Sequence, residues 1–519
     1  MSRFPNNSPP GTPSNGNGGG EQQTRGGAGG GGGPLAPGYA ASPAKLAELR
    51  ERRRLRRIFR AINNGDWRRV LITLQKTQHT FRPMIAHGER VNDLLAKCNL
   101  VRLAWRIHAD VLVGTEPLVT TQEGYDEQWE ALERLKRRVL LHSQLHSAAR
   151  KAAVEAECAL RVDTLDGAAV VTIDENDTAY PVGPDGPDLQ PTVWERRWIV
   201  ERADSTSRDG KRRYLRVERH RAPGGVGVVE QEAYETESLE TLQDLTTLRR
   251  VPLAAAFLPG ETPPPDSTPT GAPYPLLTRI VTDYYDGAPE WPLSEHDVDL
   301  LDTVAAAFTR LVRSHALHAE PKLRVSSSML DTQTGMVRMD HDAVIDDDKV
   351  AEYLRAEFDI GRMLEVLDRM LGLLLVMLQV SQALLGYKMG GGATPDSYDK
   401  LRLEATNTLA HARRFALYFG PALARTLTVA STVEARMPGR GWPVAPVTVE
   451  MRPQIPKDPL DLAREMREML EGETPLIDQR SALARLHGEG NADEMMAAIA
   501  ADQDARAARN RLQLMGEPE

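Results

Sequence analysis

The stretch LLGYKMGGGATPDSYDKLRLEA, Leu384 to Ala405, joins two helical patterns through three consecutive glycines. A long apolar pattern from about Phe358 to Leu385 runs into Gly390, Gly391 and Gly392, and a second leaves at once from Pro395 and Asp396. Each glycine samples both signs of φ without steric cost, so this joint is expected to be the most adaptable point of the chain. It is not a nucleotide cradle. A P-loop needs a strand before it and Gly-Lys-Ser/Thr after it, whereas this loop follows a helix and continues Ala393-Thr394-Pro395.

Toward the C-terminus the pattern predicts a helix from Asp396 to about Phe419 and a second half after Gly420-Pro421. The break MPGRGWPVAP, a strand VTVEMRP and small amphipathic helices follow. Before the joint, Asp346-Asp347-Asp348 opens a helical stretch. The β-like piece KLRVSSSMLDTQTGMVRMD precedes it, with Thr334-Gly335 as its turn. Ser294 caps a helix with Val298, Leu301, Val304, Ala305, Phe308 and Leu311 on one face, ended by Pro321. Residues 259–293 read as a Pro-rich connector. Short β-like runs between Ala159 and Glu235, separated by turn signals, predict a small, mostly antiparallel region. One long helix is expected from about Gly124 to Glu157, and helical spacing runs from Arg82 to Val113.

At the other end, residues 1–42 are Gly, Pro, Asn and Ser with almost no apolar content and read as disordered. Ser42-Pro43 then starts a basic helix, ELRERRRLRRIFRAI, carrying Arg52, Arg53, Arg54, Arg56 and Arg57 beside a narrow apolar stripe. Its charge fits either a solvated face or an anionic partner, whether nucleic acid or an acidic protein surface.

Among the 519 residues, 41% are hydrophobic and 26% charged, which fits a soluble globular protein of two to four domains. The net charge of −9 argues against a surface that grips nucleic acid everywhere, but not against a conduit that avoids adhesion. Cys98 and Cys158 are too few for a secreted disulfide framework. The N-terminus lacks a signal-peptide pattern. LGLLLVMLQVSQALLG, Leu371 to Gly386, is shorter than a span of roughly 18–20 residues and is interrupted by Gln379, Ser381 and Gln382, so a buried helix is expected.

No motif promises catalysis. His315, His318 and His341 form the one tempting His/acid group, yet a partly exposed helix face accounts for them without a metal. The Asp346–Asp348 run lacks the glycine and terminal glutamate of a calcium loop. His142 and His146 share a helix face without an accompanying Glu pair, and both cysteines read as core fillers. No cofactor is expected, and the chain reads as a non-enzyme.

The order of pieces is distinctive: helix, small β-excursion, long apolar helix, flexible loop, helix, strand, terminal small helices. With CNLVRLAWRIHADVLVGTEP early, WEALERLKRRVLLHSQLHSAARKAAVEAECALRVD entering the β-region and DPLDLAREMREMLEGETPLIDQRSALARLHG near the end, the chain resembles tailed-bacteriophage portal proteins over about residues 45–505. The resemblance implies an α+β, predominantly helical subunit with wing, stem, clip and crown regions. After a tail over 1–42, the wing would span 43–293, with its β-region at 159–235. Stem helices would occupy 294–319 and 351–385, the clip 320–350, and the tunnel loop 386–397. Residues 398–456 would be the tunnel helix and the return to the wing, and 457–519 the crown and C-terminal tail.

It further implies a ring, usually of about twelve copies, at one capsid vertex of a virion assembled in the host cytoplasm. Double-stranded DNA would be packaged and ejected through it. Lys388, Met389, Gly390, Gly391 and Gly392 would face the DNA transiently. Lys322, Arg324 and Arg338 would dock the terminase large subunit and then the head–tail connector, with major capsid and scaffold proteins as further neighbours and no membrane. The rival expectation is a cytoplasmic helical scaffold that binds nucleic acid through the Arg52–Arg57 helix. An enzyme built on His315, His318 and His341 is a third.

Overall fold

A computed structural model describes residues 41–66, 99–174, 177–203, 210–258, 260–285, 288–294, most of 297–311, 322–325, 351–354, 360–385, 398–455, 466–470, 478–487 and parts of 492–506. Helix α1, Pro43–Asn64, begins as its sequence dictates: the Ser42 hydroxyl accepts the Lys45 N–H at 3.2 Å, and Pro43 occupies the first helical position. Gly65 ends it in the left-handed conformation at φ 73°. Helix α2, Leu100–Val113, is capped by Asn99, whose side-chain oxygen accepts the Arg102 N–H at 3.0 Å. Short strand β1, Leu118–Thr120, follows.

The single helix expected over 124–157 is two helices, α3 (Asp126–Arg138) and α4 (Leu141–Glu155). Leu140 turns left-handed between them at φ 49°, which re-aims α4 so that Leu132, Leu135 and Leu145 enter one core. A three-stranded antiparallel sheet completes that core, in the order β10-β2-β3, from β2 (Glu157–Leu165), β3 (Ala168–Ile173) and β10 (Leu277–Val281). Cys158 stands opposite Ile280, and Val162 opposite Val171. The Pro-rich stretch expected to be a connector thus donates a fully buried strand, LTRIV, which pairs along β2: Ile280 enters the main core, and Leu277, on the opposite face, packs with Ala159, Ala179 and Trp194. β-structure therefore continues well past Glu235.

A six-stranded antiparallel sheet flanks this core. Its path runs β4 (Ala179–Pro181), β5 (Val193–Ala203), β6 (Lys211–Arg221), β7 (Val228–Thr236) and β8 (Arg249–Val251), with β9 (Ser267–Pro269) also pairing β7. Tyr284–Tyr285 (β11) and Ala288–Pro289 (β12) form a further small ladder.

Helix α5 covers the described residues between 297 and 311. It opens with a reciprocal cap, in which the Ser294 N–H reaches Asp297 at 2.6 Å and the Asp297 N–H reaches the Ser294 hydroxyl at 3.2 Å. Two strands, β13 (Lys322–Val325) and β14 (Ala351–Leu354), pair antiparallel beyond it. Helix α6, Ile360–Met377, then returns along α5. Leu301 and Ala305 cluster with Leu374, Leu375 and Leu378, whereas Val304, Phe308 and Leu311 cluster with Met363 and Leu367. Contacts that climb one helix while descending the other define an antiparallel pair.

Past Gln379, at φ 55°, comes a 3-10 turn, Gln382–Leu385, and later α7 (Tyr398–Glu404). Helix α8, Thr406–Ala435, runs unbroken through Gly420-Pro421, where the sequence predicted a break. Proline there forfeits one backbone N–H but leaves the rest of the ladder in place. Gly420 is small for a reason: a Cβ would stand 3.3 Å from Met451 and 3.5 Å from the Val449 carbonyl. Val449 lies in β15 (Thr448–Glu450), which pairs with β1. Phe415, Phe419, Leu423 and Leu427 of α8 are the centre of the main core. Helix α9, Gln479–His487, belongs to the C-terminal region. The architecture is mixed α+β. Among the described residues, no helix is long and apolar enough to cross a membrane.

Candidate functional site

The basic helix shows best how its sequence pattern becomes geometry. Residues four apart share a helix face, so Arg52, Arg56 and Arg60 line one seam and Arg50 and Arg53 the next. The first seam meets carboxylates where α4 turns into β2. Arg60 grips Glu155 with two nitrogens at 2.5 and 2.6 Å and Asp177 at 2.6 Å. Arg56 bonds Glu157, which Arg52 also reaches at 3.3 Å. Arg279 from β10 stands 3.9 Å from the other Glu157 oxygen and binds Asp185 at 2.5 Å. The second seam reaches the loop after β7: Arg53 meets Glu240 at 2.6 Å and the Thr241 hydroxyl at 3.1 Å, and Arg50 bonds the Leu242 carbonyl.

Glu157 is 4% exposed. Burial pushes its carboxyl up, but Arg56, Arg52 and Arg279 outweigh that and pull it down to about 2. Burial likewise pushes the Asp177 carboxyl up, but Arg60 outweighs it and holds the group below its ordinary value. The acidic surface that the basic helix calls for is therefore the chain's own. Arg54 pairs with Glu51 on the same helix at 3.3 Å, and Arg57 is exposed. This corrects the view of the Arg52–Arg57 face as free charge for nucleic acid, since Arg52, Arg53 and Arg56 are spent on internal carboxylates.

Helix α6 carries apolar residues on two opposite faces. Leu367, Leu374 and Leu375 are buried against α5 and its surroundings, joined by Leu378 just past the helix end. Val366, Leu373 and Val376 lie on the far side and are 52%, 54% and 62% exposed. Around them run Glu365 and Arg369, paired at 2.6 Å. Exposed branched residues in a row along one helix are a feature of contact surfaces rather than of solvated ones.

A groove of about 1010 Å³ runs beside α8, lined by Tyr274, Tyr284, Tyr418, Pro421, Arg425 and Trp442 among others. Arg425 stacks over Tyr274 at 4.2 Å and pairs with Asp188. Among the described residues no cluster of three or more His, Cys, Asp or Glu could hold a metal ion. Cys158 is buried and its thiol is pushed up to about 12, mainly by burial, so it packs rather than reacts.

Lys388, Met389, Gly390, Gly391, Gly392, Arg338, His315, His318, His341, Cys98, Thr334-Gly335 and Asp346–Asp348 lie outside the described residues, as does all of 1–40. Lys322 and Arg324 fall in β13, where only the backbone is described. His146, which has no accompanying Glu pair in sequence, meets Asp110 of α2 at 2.7 Å. Sequence reasoning missed the stacked pair His108 and His411, whose rings lie 4.1 Å apart although 303 positions separate them. The one available sign was His108 on the apolar face of α2.

No protein-family model matches the chain, and no curated protein matches it. Among solved structures it is similar to a chain from the neck of an empty GTA particle computed with C6 symmetry, at 12% identity and a TM-score of 0.39, covering 79% of this chain and 94% of that one. A chain from the neck of the native GTA particle with C12 symmetry gives 12% identity and a TM-score of 0.37 over 77% and 90% of the two chains. A chain from the virion of the native gene transfer agent particle gives 12% and 0.36 over 79% and 94%. At TM-scores this low the likenesses carry no argument, and the reading of this chain rests on its own geometry.

Proposed function

We propose that the chain is the repeating subunit of a portal-like ring at a capsid vertex, a non-enzymatic conduit for double-stranded DNA during packaging and ejection. The observation that carries this reading is the antiparallel pair α5 and α6, which leads to the β13–β14 ladder and which, among the described residues, is covered on one side and exposes Val366, Leu373 and Val376 on the other. A helix with Val366, Leu373 and Val376 facing outward gains from a second protein surface. Further copies of the same chain supply it, and head-to-tail contacts between identical subunits close into a ring when the rotation permits.

In this reading α5 and α6 are the stem, and residues 320–350 the clip that meets the terminase large subunit and then the head–tail connector. Residues 386–397 are the loop that faces DNA, and 457–519 the crown and C-terminal tail. Lys388 touches phosphate only in passing, since a firm grip would stall translocation. The acidic balance of the chain favours a bore that repels the duplex. The rival scaffold reading loses support because Arg52, Arg53 and Arg56 are engaged within the chain.

Native mass measurement tests the proposal. A closed ring of about twelve copies is expected for the full-length protein. Monomers or dimers alone, across several salt concentrations, would sink it.

A further inference from the structure

Where α6 ends, the chain turns sharply at Gln379. Gln379 adopts φ 55°, a left-handed conformation costly for a residue with a Cβ, so its surroundings must hold it there. Side chains of two elements, α8 and α2, do so. His411 of α8 faces the Gln379 side-chain oxygen through Nδ1 at 3.1 Å, and the Arg414 guanidinium donates to the same oxygen. The Thr408 hydroxyl accepts the Ser381 N–H at 2.8 Å. His108 of α2 is buried against His411, ring centroids 4.1 Å apart at 38°, with the Leu378 and Gln379 backbone within hydrogen-bonding reach.

Arginine only donates, so the atom it meets is the glutamine oxygen, and His411 Nδ1 must carry a hydrogen. A further proton on His411 can go only to Nε2. It would place a full charge against the His108 ring and near Arg414. We propose that this junction is a proton-operated latch: with both imidazoles neutral, the stack and the Gln379 bonds clamp the turn to α2 and α8, and protonation of the pair releases it.

The charged and titratable groups around the pair are few. On its own helix His411 faces Arg414, which binds Asp283 at 3.2 Å; Asp283 lies just beyond β10, beside Glu290. His108 faces His411 and backbone. Among the described residues Asp283 is the acid that acts on His411, and it is already bound to Arg414. Burial first, then Arg414, lowers His411 to about 4; burial and then His411 lower His108 well below its ordinary value.

The sign follows. An opened junction binds protons from pH 6.5 downward, whereas the closed one resists until about 4. The clamp is therefore at full strength above pH 6.5 and weakens as pH falls toward 4. For His411 alone the opening equilibrium rises about 30-fold between pH 8 and pH 5. His108 adds to this.

Hydrogen exchange on the full-length protein, read by mass spectrometry and corrected for intrinsic pH dependence, tests the latch. Peptides covering residues 376–385 should open about 30-fold or more at pH 5 relative to pH 8, while peptides around Val162 in β2 change far less. The double variant His108→Gln, His411→Gln should lose that pH response. A flat wild-type profile, or a response that survives in the double variant, would overturn the proposal. Should the double variant not fold, imidazole C2–H exchange in the wild type decides: His411 titrating near 4 supports the latch, and titration near 6.5 refutes it. None of these readouts depends on ring formation.

Discussion

Glu157 shows how much one residue can carry. Three arginines converge on it from two elements, and it is nearly out of water. Glu157→Gln removes the charge but leaves the guanidiniums buried, which costs about 3 kcal/mol by the general behaviour of broken buried pairs. Denaturant unfolding of the variant measures this loss. The pH dependence has a definite direction. A carboxyl held at about 2 against an ordinary 4.5 stabilises the fold fully above pH 4.5, and the benefit drains away as pH falls from there toward 2. Stability of the wild type should fall across that window, and the Glu157→Gln variant should fall less steeply. The arginines were legible in the sequence through their four-residue spacing. Their partners were not, since Glu155, Glu157 and Asp177 lie about a hundred positions away with nothing local to mark them.

At the scale of elements, the sequence located helices well and their breaks badly. Gly420-Pro421 looked like a stop, yet tight packing of α8 on β15 keeps the helix whole. Gly420→Val should push Met451 and the Val449 carbonyl away and cost about 2 kcal/mol, whereas Gly420→Ala, meeting a flexible methionine, should stay near neutral. Thermal denaturation of the pair measures the contrast. Conversely, nothing local announced the left-handed turn at Leu140, which is 71% exposed. Leu140→Gly relieves that backbone and should stabilise the fold by up to about 1 kcal/mol in the same assay. Tertiary packing set both outcomes: a helix continues or bends according to which choice buries its apolar stripe.

For the whole molecule, the apolar row on α6 bears on assembly. Replacing Val366 and Leu373 by Lys puts charge on that row without touching the seam with α5, so the subunit should fold with unchanged circular dichroism but fail to form rings in mass photometry. Rings of normal size in that variant would shift the subunit contact elsewhere. Shortening Gly390–Gly392 should spare assembly and impair DNA packaging in a packaging assay; normal packaging would remove the loop from the channel.

By itself the sequence determined what depends on neighbours a few positions apart. Ser42 and Ser294 as caps, the arginine faces of α1, the apolar stripes of α5 and α6 and the mixed α+β composition all follow from local hydrogen bonding and from the 3.6-residue and two-residue periods. Only the tertiary structure decided that LTRIV pairs along β2, that Glu157 meets Arg52 and Arg56 of α1, and that His108 meets His411. Those contacts form because burying apolar surface brings distant segments together. The polar groups carried along must then find partners in place of water, and no local pattern encodes which partners those are.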